Sequence, residues 1–179
     1  DSDALVIVAL DHLYPVVQAV RSQTSLQEVI TTHISDFLPR EPIIPVHPSL
    51  KAQEPECPGS IDLMSALAAQ NPIYEKVSVS LDDLAALNYT GGTTGIPKGC
   101  EHTQRNMLYA VACTLATIVD SGEPPPTDGA MLTYLPPFWI AGEVGGIIGP
   151  IMTNLTVVLL ARWDMEAVLT AIDRYAVLG

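Results

Sequence analysis

Residues 88–99 read NYTGGTTGIPKG, and their types point to phosphate chemistry. Gly91, Gly92, Gly95 and Gly99 put four residues without a Cβ into a stretch of nine, so the backbone can take positive φ and a ligand can approach its amides closely. Successive N–H groups in such a turn form an anion-binding nest. Thr90, Thr93 and Thr94 add hydroxyls that can donate to phosphate oxygens, and Lys98 adds a compact positive charge where the β and γ charges of a nucleotide would fall. A glycine pair alone would suit an ordinary turn, whereas an ordered series of hydroxyls ending in lysine favours a polyphosphate cradle. The loop is not of the Walker type, which places Ser or Thr after the lysine to hold Mg²⁺; here Pro97 precedes Lys98 and Gly99 follows it.

Such a loop needs a frame, and the flanking sequence predicts one. Ala85 to Thr90 is a strand leading into the loop, and Gln104 to Val119 a helix after it, with Met107, Leu108, Val111, Leu115 and Ile118 at helical spacing. Upstream, Ala4–Leu10 (ALVIVAL) suits a strand covered on both faces, Leu13–Arg21 a helix and Leu26–Thr32 a second strand, together a βαβ unit. Residues 36–59 are rich in proline and lack apolar periodicity, which predicts a surface excursion. Ile61–Gln70 reads as a helix capped by Ser60, with a helical turn at Leu81–Asp83. After a break at Gly122–Gly129, the pattern predicts strand Met131–Leu135, helix Ala141–Met152, strand Thr156–Leu160 and helix Asp164–Tyr175, with a strand beginning at 176–179. The expected fold class is α/β, layered βαβ units with a mostly parallel sheet.

The order of the loop residues resembles the signature of the adenylate-forming superfamily, which includes acyl-CoA synthetases, aryl-CoA ligases, luciferases and peptide-synthetase adenylation domains. The resemblance extends beyond the loop. Thr103, Gln104, Arg105 and Asn106 stand where the family has Thr-His-x-Asn opening a helix, with Gln104 in place of the His. Leu135–Gly142 (LPPFWIAG) is similar to the family's Leu-Pro-x-Phe-His-x-x-Gly junction, with Trp139 at the His position. Thr156–Asp164 resembles the next strand and helix start, and the match is weaker before Leu84.

The resemblance implies an AMP-forming acid–thiol ligase acting on a fatty acid or another small-molecule carboxylate, with ATP, Mg²⁺ and CoA. Thr90, Gly91, Gly92, Thr93, Thr94, Gly95 and Lys98 would hold the ATP phosphates, Thr94 would meet the metal, and Trp139 would border the acyl pocket, the alternative for Trp139 being an ordinary core residue. It leaves open a carrier-protein thiol as acceptor, and a homodimer. The family's aromatic-Gly-x-Thr-Glu and Thr-Gly-Asp segments and its adenylating lysine do not occur in residues 1–179. The chain is therefore expected to be part of the large N-terminal, AMP-binding domain with the C-terminal domain absent, and inactive alone. The alternatives are a non-enzymatic nucleotide- or anion-binding module and a structural fragment that retains no ligand site.

Bulk properties agree with small-molecule work. A net charge of −12 with eight Lys plus Arg offers no basic stripe for nucleic acid or an anionic membrane. The apolar run 135–161 contains Glu143, three prolines and Asn154, which argues against a membrane span. Cys57, Cys100 and Cys113 lack paired or metal-ligand spacing, so reduced thiols and a cytoplasmic location are expected. His12, His33 and His47 read as scattered surface residues, His102 is offset from the family pattern, and Glu143 is either a pocket residue or a solvated helix face.

Overall fold

The apolar run near the N-terminus becomes β1 (Val6–Leu10), and a 3₁₀ turn at Asp11–Leu13 leads into α1 (Tyr14–Arg21), where Pro15 supplies a pre-set φ in the first helical turn. β2 (Glu28–Thr32) lies parallel to β1 in the register Val6↔Glu28 to Leu10↔Thr32. This is the predicted βαβ unit. The computed structural model describes residues 3–51, 55–91, 95–120, 122 and 129–178, and the chain divides into two units, Asp1–Lys76 and Val77–Gly179.

In the first unit, Tyr14 and Val17 of α1 pack on Val29 of β2, joined by Ile7, Ala9, Leu26 and Cys57. β1 is not covered on both faces as its composition suggests: the alternate side chains Val6 and Val8 are 50% and 57% exposed. Residues 36–59 likewise do more than run over the surface. Leu50, in a 3₁₀ turn at Pro48–Lys51, is buried, Cys57 packs on the core, and Tyr14 Oη–H donates to the Pro58 carbonyl. β3 (Ile61–Asp62) adds to β2, in parallel, before α2 (Leu63–Ala68) begins. Pairing with β2 keeps the chain extended through Asp62, so the helix starts later than predicted. Asp62 is its cap, accepting from Ser65 N at 2.8 Å. Ser60, the predicted cap, instead bonds Thr31 Oγ1 and the Cys57 carbonyl, both at 2.8 Å.

The second unit opens with an antiparallel hairpin, β4 (Leu84–Thr90) and β5 (Lys98–Thr103). α3 (Gln104–Asp120) follows, burying Met107 and Val111, while Leu108 is 41% exposed and falls off the packed stripe. A three-stranded parallel sheet then forms in the order β7-β6-β8, with β6 (Ala130–Thr133) central, β7 (Thr156–Leu159) on one side and β8 (Val177–Leu178) on the other. α6 (Met165–Tyr175) crosses between β7 and β8. Asp164 caps it by accepting from Ala167 N at 2.9 Å, and Ala167, Val168 and Ala171 are its buried face. The fold class is therefore the predicted α/β with parallel sheets, plus one antiparallel pair that the sequence did not disclose.

The predicted helix 141–152 is broken into α4 (Ile140–Glu143), a π-helical turn (Val144–Ile148) and α5 (Gly149–Thr153). Pro150 explains the break. A residue 150 amide would serve the Gly146 carbonyl in an α-helix, and proline has none. That oxygen accepts from Thr133 Oγ1–H at 3.1 Å. The Gly149 amide reaches back five residues to Val144 O, the widened spacing of a π turn. Gly146 is what lets the turn sit on β6, because a Cβ there would lie 2.6 Å from Thr133 Cγ2 and 3.1 Å from its Oγ1.

Gly146→Ala should therefore cost about 1–3 kcal/mol through overpacking. Gly145→Ala, which meets nothing within 4 Å, should be neutral or slightly stabilising. Urea unfolding midpoints of the two variants test the contrast, and equal midpoints would refute the packing account.

Candidate functional site

The glycine-rich loop is the tip of the β4–β5 hairpin. Thr90 pairs with Lys98, Tyr89 with Gly99 and Asn88 with Cys100, so both ends of the loop are held by the strand ladder. Thr90, Gly91, Gly95 and Lys98 are exposed. Gly95 has φ +101°, a conformation that favours glycine, and no atom lies within 4 Å of where a Cβ would stand on Gly91 or Gly95. The described part of the loop thus combines accessible backbone, a threonine hydroxyl and a lysine at the base where the two strands pair. Gly92, Thr93 and Thr94 lie outside the described residues. Gly99 has a different role: the Tyr89 ring lies across it, with Cζ 3.2 Å from the position of a Cβ.

Sequence reasoning missed β5. KGCEHT carries little intrinsic strand preference and no alternation, and pairing with β4 is what makes it a strand. The signal that could have found it is the length of the loop, bounded by a strand on one side and a helix cap on the other. That cap is the Thr103–Asn106 element. Thr103 Oγ1 accepts from Asn106 N at 3.2 Å, while Thr103 N donates to Asn106 Oδ1 at 3.0 Å, a reciprocal capping box. Gln104 N and Arg105 N donate to the carbonyls of Asp83 and Leu81 at 3.0 and 2.8 Å, which gives the turn predicted at 81–83 its purpose. Arg105 also pairs with Asp82 at 3.0 Å. Three amides of the first turn of α3 are consequently occupied and are not free to meet an anion.

Trp139 is not enclosed. It stands at the N-cap of α4, 57% exposed, in edge contact with Phe138 at a centroid separation of 6.0 Å. Its amide donates to Pro136 O at 3.0 Å and its carbonyl accepts from Glu143 N at 2.9 Å. Glu143 is half-buried and bonded, not a solvated helix face: Asn88 Nδ2 donates to its Oε2 at 2.9 Å. Gly142 must be glycine, since a Cβ would lie 2.2 Å from the Pro136 carbonyl oxygen.

The first unit holds a polar cavity of about 230 Å³ at the C-terminal ends of its parallel strands, lined in part by Asp11, Thr31, His33, Asp36 and Cys57. His33, expected at the surface, is 9% exposed, with Nδ1 2.6 Å from Ser35 Oγ and Nε2 3.9 Å from Asp11 Oδ2. It follows β2 directly and turns inward where the strand ends, which period-2 reasoning on an isolated histidine does not reveal. Among the described residues no group of three or more His, Cys, Asp or Glu side chains could hold a metal ion, and no helix is long and apolar enough to cross a membrane. Burial, reinforced by the Asp11 carboxylate, pushes the Cys57 thiol above its ordinary pKa. A raised pKa leaves less thiolate at a given pH, so iodoacetamide at pH 8 should modify Cys57 several-fold more slowly than the exposed Cys100. Peptide mapping by mass spectrometry would measure this, and equal rates would contradict it.

Comparison with known proteins bears on both units. A family model described as AMP-binding enzyme matches residues 1–178. A long-chain-fatty-acid–CoA ligase of Bacillus subtilis is 27% identical over 98% of this chain and 32% of its own length. A long-chain-fatty-acid–CoA ligase of Salmonella typhimurium is 36% identical over 65% of this chain and 22% of its own. ATP-bound MatB from Rhodopseudomonas palustris shares the fold at a TM-score of 0.66 and 20% identity, over 98% of this chain and 29% of that structure. The chain thus spans about a third or less of the proteins it matches. With the loop, the capping box and the parallel sheets in place, and the family model running almost from end to end, the chain belongs to the AMP-binding enzyme family.

Proposed function

We propose that this chain is the triphosphate-binding part of an ATP-dependent acyl-CoA synthetase. The observation that carries the reading is the hairpin tip, where Thr90 pairs with Lys98 and both are exposed together with Gly91 and Gly95, in a chain of the AMP-binding family. In the reaction, a substrate carboxylate oxygen attacks the α-phosphorus of ATP and the bond to the β-phosphate oxygen breaks, giving an acyl adenylate and pyrophosphate. The CoA thiol then attacks the acyl carbon, loses its proton, and AMP leaves with the bonding electron pair. Little covalent chemistry falls to the protein, so rate comes from placing and stabilising charge.

Loop amides with the hydroxyls of Thr90, Thr93 and Thr94 would hold the β and γ phosphates, and the Lys98 ammonium would offset the charge of the departing pyrophosphate. The donor set suits a metal that arrives on the triphosphate, since the described residues form no metal cluster of their own. Mg²⁺ bound there would neutralise phosphate charge, with Thr94 as its contact from this chain. The exposed Trp139 at the α4 start suits a ring that borders an acyl substrate better than one buried in a core. Family membership over residues 1–178 favours a ligase over a non-enzymatic binding module. The names of the relatives support a fatty acid and CoA as the other substrates.

In the full-length protein, Lys98→Ala should lower ATP–pyrophosphate exchange by about 10²-fold, the scale on which a single transition-state charge contact acts, without changing the melting temperature. Exchange at the wild-type rate would refute the assignment. The 179-residue chain alone, given ATP, Mg²⁺, CoA and fatty or aromatic acids, should form no acyl-CoA. Thioester detected by liquid chromatography would show that the site is complete within it.

A further inference from the structure

We propose that Asn88 and Glu143 form a positioning contact for adenylation, tying the strand that feeds the glycine-rich loop to the helix start beside Trp139; this rests on the ligase reading above. Asn88 lies on β4 two residues before Thr90 and pairs with Cys100 of β5. Glu143 closes α4, and its amide donates to the Trp139 carbonyl at 2.9 Å. The 2.9 Å bond from Asn88 Nδ2 to Glu143 Oε2 therefore spans the two segments assigned to phosphate and to acyl group, 55 residues apart in sequence.

The bond is directional. Asn88 Oδ1, the other end of the amide, is buried and has no hydrogen-bond partner. Turning the amide over would point that oxygen at a carboxylate, so the charge on Glu143 sets which way Asn88 faces. Loss of the acceptor would leave both ends of the amide unpaired, and the side chain would have to leave its place beside the loop. The helix start has little freedom to absorb such a change. Gly142 abuts the Pro136 carbonyl and Gly146 abuts Thr133, with no room for a Cβ at either. A displacement at Glu143 is then passed to the Trp139 junction, and one at Asn88 to Thr90 and its partner Lys98. Orientation errors of about 1 Å are enough to slow a reaction held by positioning by up to 10²-fold.

The contact is tested in the full-length protein by ATP–pyrophosphate exchange, with KM for ATP and for the carboxylate measured separately. E143L, which removes the acceptor, and N88D, which sets two carboxylates against each other, should each raise both KM values about ten-fold. E143Q retains an amide oxygen able to accept and should recover most of the loss. The double variant N88D/E143Q re-forms the bond with donor and acceptor exchanged, and should lie closer to wild type than N88D alone. A contact that only supports the fold would lower melting temperature and active fraction with both KM values unmoved. KM values within two-fold of wild type in E143L, or N88D/E143Q no better than N88D, overturn the positioning role and leave the ligase reading standing. Should N88D fail to fold, E143L against E143Q decides the same point. Absence of exchange in the wild-type protein overturns the ligase reading and this inference with it.

Discussion

The pairing of Thr90 with Lys98 is the constraint on which the site depends. It brings the two ends of the loop within the spacing of neighbouring strands. Lys98 gains its place from the ladder and not from its own side-chain preferences. The adjacent pair, Tyr89 and Gly99, shows how closely the register is specified: the ring occupies the space a side chain at 99 would need. A slip of one residue would lose that fit and turn the lysine to the other face. An acidic chain can in this way hold a lysine ammonium beside the exposed backbone of Gly91 and Gly95.

The support behind the hairpin is equally local. The Thr103–Asn106 box, with the carbonyls of Leu81 and Asp83, uses the first amides of α3, and so joins the segment before β4 to the helix after β5. The loop is therefore clamped at its base from both directions of the chain. Nothing in this arrangement needs a His at Gln104, whose backbone amide supplies its contribution whatever the side chain.

Legibility in the sequence followed the range of the interactions involved. Glycine and threonine spacing announced the loop, and apolar runs and periodicity announced α1, α3, α6 and the strands β1, β2, β6, β7 and β8, since these depend on neighbours along the chain. β5 was hidden because its strand character comes from a partner, and the late start of α2 because β3 pairing outcompetes the Ser60 cap. The burial of His33 and the bonding of Glu143 depend on residues 22 and 55 positions away, a range at which single-sequence patterns are silent. Trp139 was legible as a departure from a family pattern, yet its exposure could not be read from residue type, since large aromatics are usually found buried.

Pro150, Gly146 and Thr133 illustrate what such distant dependence means for the history of a chain. A proline inside a helix is tolerated here because a hydroxyl from a strand stands ready beside the stranded carbonyl, and the hydroxyl can stand there only because position 146 has no side chain. The proline depends on the hydroxyl, and the hydroxyl on the glycine. Drift at these sites is thus expected to be ordered: loss of the proline frees the threonine first, and the glycine is freed only once the threonine side chain has changed, whereas a lineage that keeps the proline holds all three.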